Sequence, residues 1–279
     1  MKRPNNSRNL DMAIRRITSS ERDFVRYRTT IANAIVGQLL PSGVVKGGTA
    51  LKLRFGNSAT RFTTDLDTAR SESLDRFIDE LSERLDEGWE GFTGRIVTRT
   101  PASPADVPHR YVMQPFDVKL SYAGRAWCTV PLEVGHNEIG DACEPELSMS
   151  PDVAEMFTLL GFPEPGPIPL MPLHHQIAQK LHGLSEPNSK RAHDLVDLQL
   201  ISKHGSVDLR KTRETCERLF AYRKAQPWPC EIRCGTGWGE LYASAAADLP
   251  VLQDLNDAIE WANELIHAIA GQRPGDASQ

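Results

Sequence analysis

The spacing of apolar residues divides the first half of the chain into alternating helices and strands. Apolar side chains recur every three or four residues in the second predicted helix, which follows the N-cap candidate Ser20. The helices predicted in this way are residues 9–18, 20–40, 49–54 and 72–87. The predicted strands are residues 44–45, 62–69, 92–98, 111–121 and 125–134. This alternation through about residue 135 predicts a compact layer of helices and strands.

The second half of the chain has a different pattern. Residues 161–169, rich in proline and glycine, are predicted to form a rigid linker. The helical period then returns in residues 173–184, 192–203, 207–224 and 250–271. Residues 101–108 are predicted to be a turn-rich break, 227–240 have no regular pattern and no assigned role, and the tail after Gln272 is predicted to be disordered.

The fold class predicted from these patterns is α+β, a mixed sheet with helices followed by a mainly helical C-terminal half. Three segments are predicted: an N-terminal helical segment (1–40), a mixed core (41–160) and a helical C-terminal domain (161–279). No apolar run reaches the roughly 20 residues of a membrane span, and no signal peptide is recognisable. The five cysteines are scattered, which suits a reducing compartment, so a cytoplasmic protein is expected.

Charge is distributed unevenly although the net charge is only −5. Residues 1–61 contain 12 Lys or Arg and 3 Asp or Glu, whereas the remainder contains 20 and 34. A basic segment of this kind favours an anionic partner such as a nucleic acid. The alternative interpretation is that these charges only solvate surface helices, and both interpretations stay open.

Candidate chemistry begins at a Gly-Gly-Thr turn. Gly47 and Gly48 follow a short predicted strand and open a predicted helix, where backbone N–H groups can bind a phosphate. Asp65 and Asp67 lie two residues apart, so in a strand both side chains would point the same way and could share a hard cation such as Mg²⁺. An Asp-x-Asp pair alone is more often a surface or capping feature, and the glycine turn before it raises its significance.

A second block of charged residues lies in the helical half. Lys180 is followed by Arg191, Asp194 and Asp197 in the sequence Lys-Arg-Ala-His-Asp-Leu-Val-Asp-Leu. Taken alone, Lys180 could be a solvated surface residue, and Arg191 and Asp194 could be a surface ion pair three residues apart. Together, the two blocks resemble the nucleotidyltransferase toxins of the AbiEii/AbiGii family, which includes the MenT toxins. The resemblance spans roughly residues 30–205.

The resemblance implies a polymerase-β-like nucleotidyltransferase fold, with the core in residues 41–160. It implies the toxin of a toxin–antitoxin pair that transfers a nucleoside monophosphate from an NTP to RNA, with the tRNA 3′ end as leading acceptor. Mg²⁺, in a two-metal arrangement, is the implied cofactor. The implied partners are the NTP, the RNA and a cognate antitoxin.

The resemblance also assigns roles to individual residues. Glu133 is the candidate third carboxylate, and Asp117 is its rival. The remaining assignments are triphosphate binding for Gly47, Gly48 and Thr49, metal binding for Asp65 and Asp67, neutralisation of triphosphate charge by Lys180, and a catalytic acidic role for Asp194. Apart from the resemblance, Arg61 or Arg54 could supply further positive charge to the nucleotide.

Other functions stay open at this level. The acceptor could be the hydroxyl of a small molecule or a protein, or the chain could be a non-catalytic module that binds an NTP or a partner. A zinc site at His174, His175, Cys230 and Cys234 is disfavoured, because adjacent histidines on a helix diverge by about 100°. Trp228, Trp238 and Tyr242 could stack on bases, although packing in a core is the favoured role.

Overall fold

A computed structural model of the protein describes residues 2–101 and 113–272. Contacts between Cα atoms divide the chain into two units, one of Met1–Ser58 with Phe62–Met171 and one of Ala59–Arg61 with Pro172–Gln279. The predicted tail after Gln272, residues 102–108 of the predicted break and the first two residues of the strand predicted at 111–121 lie outside the described residues. The three-part division of the chain stays a prediction.

The first unit is built on a mixed sheet of seven strands within the described residues. The strands are β1 (Val44–Lys46), β2 (Leu66–Arg70), β3 (Phe92–Thr98), β4 (Gln114–Tyr122), β5 (Arg125–His136), β6 (Glu146–Ser148) and β7 (Ile168–Leu170). Their order across the sheet is β3-β4-β5-β2-β1-β7-β6. β2 runs parallel to β5 and β1 parallel to β7, whereas the other neighbours are antiparallel.

The helices of the first unit bury apolar faces in a core shared with the sheet. They are α1 (Ser7–Arg16), α2 (Glu21–Gln38), α3 (Gly47–Phe55), α4 (Leu74–Glu87) and α5 (Pro151–Leu159). The predicted N-cap is confirmed, because the Ser20 hydroxyl accepts a hydrogen bond from the Asp23 N–H at 3.0 Å. Ile31 and Ile35 of α2 are fully buried, so this helix places one face in the core as its spacing predicted.

Two sequence predictions are wrong in this unit. The predicted linker 161–169 runs into β7, whose Ile168 is fully buried and which pairs with both β1 and β6. Its prolines do not prevent strand pairing, because a three-residue strand needs few backbone donors. The predicted strand 62–69 is a strand only from Leu66, and residues 62–65 are irregular. α5, β6 and β7 were not predicted.

The second unit is helical within the described residues. Its helices are α6 (Leu173–Leu184), α7 (His193–His204), α8 (Leu209–Arg223), α9 (Trp238–Ala246) and α10 (Leu255–Ala270). α9 begins at the end of the 227–240 stretch, for which no structure was predicted, and extends beyond it to Ala246. Trp238 and Tyr242 are each 1% exposed, and the Trp238 indole N–H donates to the Ser189 carbonyl at 2.6 Å. These two rings therefore pack in a core, which excludes base stacking for them.

None of the helices in the described ranges combines the length and the apolar character that crossing a membrane requires.

Candidate active site

The glycine turn lies where β1 ends and α3 begins. Lys46 is the last residue of β1 and the N-cap of α3, and its own side chain makes no capping hydrogen bond. The first N–H groups of a helix have no partner within the helix, so this helix start suits an anionic ligand. Gly47 has φ +65°, and a Cβ at this position would overlap the Asp67 Oδ2 atom. The positive φ therefore favours glycine here, and a Cβ would displace the Asp67 carboxylate.

Sheet register brings the predicted carboxylates together. Asp67 of β2 lies directly opposite Glu133 of β5, and its other neighbour across the sheet is Lys46 of β1. Residues that are opposite each other in register point to the same face, so these three side chains form a row over three strands. Asp65 is exposed and lies one residue before β2 begins.

The rival third carboxylate, Asp117, already has cationic partners. Its Oδ2 lies 2.8 Å from Lys119 Nζ, and its Oδ1 lies 3.7 Å from Arg99 Nη1. Its strand partner is Pro131, two residues away from Glu133 on β5. Register with Asp67 therefore favours Glu133 over Asp117 as the third metal ligand.

The pKa shift of Glu133 is consistent with a cation site at the row formed by Lys46, Asp67 and Glu133. Burial raises the pKa of Glu133, and the nearby carboxylates of Asp67 and Asp65 raise it further, whereas Lys46 and Arg99 oppose them. Crowded carboxylate oxygens are the donors that Mg²⁺ prefers, and their mutual repulsion is relieved by a bound cation. Among residues 2–101 and 113–272, no three His, Cys, Asp or Glu side chains are already gathered as a ligand cluster for any metal. The donor chemistry fits magnesium, while the ligands are not preassembled.

Thr49 is placed differently from the glycines of the turn. Its side chain is buried in the first turn of α3, and its hydroxyl donates to the Asp65 carbonyl at 2.7 Å. This hydroxyl is thus occupied within the protein, and the N–H groups of the turn remain the candidate phosphate ligands.

The second block of predicted site residues forms a buried ion network in the second unit. Lys180 of α6 is 3% exposed, and its Nζ lies 2.7 Å from Asp194 Oδ1 and 2.6 Å from Asp197 Oδ2. Arg61 donates from Nε and Nη2 to the two oxygens of Asp197 at 2.8 and 2.9 Å. Arg191 Nε lies 2.6 Å from Asp194 Oδ2.

The two carboxylates of this network are fully buried and charged. Burial alone would raise the pKa of Asp194, but the charges of Arg191 and Lys180 hold it well below its usual range. Arg61 and Lys180 likewise lower the pKa of Asp197 against the effect of burial. The interpretation of Arg191 and Asp194 as a surface ion pair is therefore wrong, because Asp194 has no exposed surface.

A model of the family described as "Nucleotidyl transferase AbiEii toxin, Type IV TA system" matches residues 32–274. The chain belongs to the AbiEii family of nucleotidyltransferase toxins. As a member of this family, it is an enzyme that uses an NTP, and it is the toxin of a type IV toxin–antitoxin system with an antitoxin as its partner.

The structure of MenT4 has a fold similar to that of this chain. MenT4, a nucleotidyltransferase toxin from Mycobacterium tuberculosis H37Rv, is similar with a TM-score of 0.53 and 16% identity over 93% of this chain and 98% of that one. A putative nucleotidyltransferase from H. pylori matches with a TM-score of 0.44 and 15% identity over 90% of this chain and 96% of that one. A search of curated proteins gave no significant match. The predicted α+β class is confirmed by the mixed sheet and by the likeness to MenT4.

Sequence reasoning did not assign a role to Lys46, although it belongs to the first motif of this AbiEii protein. Lys46 shares the row with Asp67 and Glu133, and its charge acts on Glu133 and on Asp141. The signal that could have identified it is its position as the last strand residue before the glycine turn, where a side chain flanks the helix start.

Proposed function

We propose that this AbiEii protein catalyses Mg²⁺-dependent transfer of a nucleoside monophosphate from an NTP to RNA, at the 3′ end of tRNA. Adding nucleotides there would block aminoacylation and so stop translation. The observation that carries the metal-dependent transfer is the register of β1, β2 and β5, which aligns Lys46, Asp67 and Glu133 beside the start of α3. The RNA acceptor is proposed from the family resemblance and from the basic N-terminal segment. The similarity to MenT4, which is a nucleotidyltransferase toxin, is consistent with it.

The residues on this row suit the two halves of the reaction. The N–H groups of Gly47 and Gly48 and the Lys46 ammonium would bind and orient the triphosphate. Asp65, Asp67 and Glu133 would hold magnesium, which when bound supplies positive charge to the phosphates and to the attacking hydroxyl. Glycine at position 47 leaves room for the Asp67 carboxylate against the turn.

The basic first 61 residues are the proposed RNA contact. Arg15, Arg16 and Arg22 are exposed, whereas Arg26 donates to the Asn57 side chain and main chain within the first unit. Reversing the first three charges therefore tests RNA binding without disturbing the Asn57 contact. An enzyme acting on a small molecule would keep its activity after this change.

The decisive experiment incubates the purified protein with each labelled NTP, Mg²⁺ and total RNA. We expect label in the tRNA fraction, and loss of labelling in Asp65→Ala. Asp117→Asn is the matched control, because it removes a carboxylate that is already paired with Lys119. Equal labelling by Asp65→Ala would show that the mechanism is wrong.

The position of transfer is tested with tRNA whose 3′-terminal ribose has been oxidised with periodate. We expect no labelling of this RNA, because its terminal hydroxyls have been removed. If oxidised and intact tRNA are labelled equally, the 3′ end is not the acceptor. If no RNA is labelled while small hydroxyl compounds are, the acceptor class is wrong.

A further inference from the structure

Residues 62–65 lead into the Asp65–Asp67 pair without any regular secondary structure. The backbone carbonyls of Thr63, Thr64 and Asp65 each accept a hydrogen bond from a different side chain. The donors are Lys52 Nζ at 3.5 Å for Thr63, Asn33 Nδ2 at 3.4 Å for Thr64 and Thr49 Oγ1 at 2.7 Å for Asp65. Three successive carbonyls are thus held by side chains where a strand neighbour would otherwise hold them.

The three donors belong to the interior of the first unit. Asn33 of α2 and Thr49 and Lys52 of α3 are each 1% exposed. Thr49 and Lys52 are three residues apart and so share one helix face. Asn33 Nδ2 also donates to Thr49 Oγ1 at 3.3 Å, which connects the two helices. Lys52 Nζ additionally lies 5.3 Å from the centre of the Phe62 ring.

Polar groups buried to this extent need compensating hydrogen bonds. Placing a hydroxyl, an amide and an ammonium in the core costs free energy unless each is hydrogen-bonded. Here the bonds converge on the short segment that carries the proposed metal ligands. The hydrogen bonds that compensate for burial of the three donors therefore also restrict the backbone conformation of residues 62–65.

We propose that Asn33, Thr49 and Lys52 are positioning residues that hold Asp65 and Asp67 in register with the glycine turn. Thr49 lies in the first turn of α3, the helix whose start would bind the triphosphate, so its hydrogen bond to the Asp65 carbonyl connects the proposed phosphate-binding turn to the proposed metal ligands. The proposal rests on the proposed function for its kinetic consequences, but its structural part stands independently. In this role the Thr49 hydroxyl contributes through the Asp65 carbonyl.

The test compares Thr49→Val, which keeps the shape but removes the hydroxyl, with Thr49→Ser, which keeps the hydroxyl. A matched control is Thr30→Val, because Thr30 is equally buried and its hydroxyl lies 2.8 Å from two acceptors, Arg26 O and Asn57 Oδ1, away from residues 62–65. Each valine variant removes a buried hydroxyl that has two polar neighbours, so their loss of stability should be similar.

We expect Thr49→Val to lower kcat about tenfold and to raise the Mg²⁺ concentration for half-maximal activity severalfold, because the Asp65 carbonyl and the Asn33 side-chain N–H both lose their Thr49 partner. The KM for NTP should stay within about twofold, and Thr49→Ser should recover most of the activity. Thr30→Val should change none of these kinetic quantities. If Thr49→Val instead raises the KM for NTP and leaves the Mg²⁺ requirement alone, Thr49 contacts the nucleotide and the proposal is overturned.

A second measurement does not depend on activity. Hydrogen exchange of the amides in residues 62–67 should speed up about tenfold in Thr49→Val and in Lys52→Met, but not in Thr30→Val. Unchanged exchange in both variants would overturn the proposal even if RNA is labelled as expected. Faster exchange in a protein that labels no RNA would support the positioning role while the proposed acceptor fails.

Discussion

Replacing Lys180 with methionine is the sharpest test of the buried ion network in the second unit. Methionine has a similar length and removes only the charge. The wild-type network contains three cations, Lys180, Arg61 and Arg191, and the two carboxylates of Asp194 and Asp197. After the substitution, each carboxylate keeps one arginine, so neither is left entirely without a partner.

The expected loss of stability in Lys180→Met follows from the number of partners that remain. Removing one partner of a buried ion pair costs about 3–5 kcal/mol, and the remaining arginines place this case near the lower end, at about 3 kcal/mol. A loss of that size corresponds to a fall in Tm of roughly 10 °C for a unit of this size. Lys203→Met on α7 is the control, because Lys203 is exposed and a surface substitution changes stability by about 0.5 kcal/mol or less.

The assay combines thermal unfolding with hydrogen exchange of α6 and α7. Exchange reports the second unit directly, even where the two units unfold separately. We expect faster exchange throughout both helices in Lys180→Met and unchanged exchange in Lys203→Met. Equal melting of the two variants would refute the reasoning. The KM for NTP, measured below the unfolding temperature of Lys180→Met, tests separately the prediction that Lys180 neutralises triphosphate charge.

Three further predictions concern both units. Gly47→Ala should destabilise the protein by about 1–2 kcal/mol from the positive φ alone and should abolish NTP transfer by displacing Asp67, which denaturation and labelling assays measure together. Glu133→Gln should raise Tm, because it removes a half-buried charge next to like charges, and it should abolish labelling of RNA. Asp117→Asn should keep the labelling activity. A fall in Tm in Glu133→Gln would contradict the first expectation. Asp194 and Asp197 of α7 have native pKa values below the unfolded value of 3.8, so their charged forms stabilise the fold. This stabilisation is complete well above pH 3.8 and is lost as the pH falls through and below that value. Asp194→Asn should therefore show a smaller loss of Tm between about pH 5 and pH 2 than the parent.

Local signals were sufficient for most of the elements. The period of apolar residues and the Ser20 cap predicted α2, and the glycine turn predicted the start of α3, because both depend on neighbours within a few residues. β7 was not predicted, because a three-residue strand that follows a proline-rich segment has no local sequence signal and forms through pairing with β1 and β6. α9 escaped because the glycines and the tryptophan around it carry no clear helical period.

The site shows the same division. Gly47, Asp65 and Asp67 could be recognised from sequence, because a phosphate turn and a metal pair have a characteristic spacing. The choice between Glu133 and Asp117 could not be made from spacing, because both lie on predicted strands and both are acidic. It depends on which strand lies beside β2, and the parallel pairing of β2 with β5 favours Glu133.

The sequence by itself determined the fold class, the family and the residue types of the candidate chemistry, because these depend on composition, periodicity and local motifs. Only the tertiary structure decided that Thr49 bonds Asp65, that Lys180 is enclosed by two carboxylates and that Lys46 joins the row of site residues. The physical reason is that burial and partner choice arise between residues far apart in the chain. The sequence does not show whether the ammonium of a lysine lies in water or against a buried carboxylate. That depends on the residues that pack around it in the folded structure.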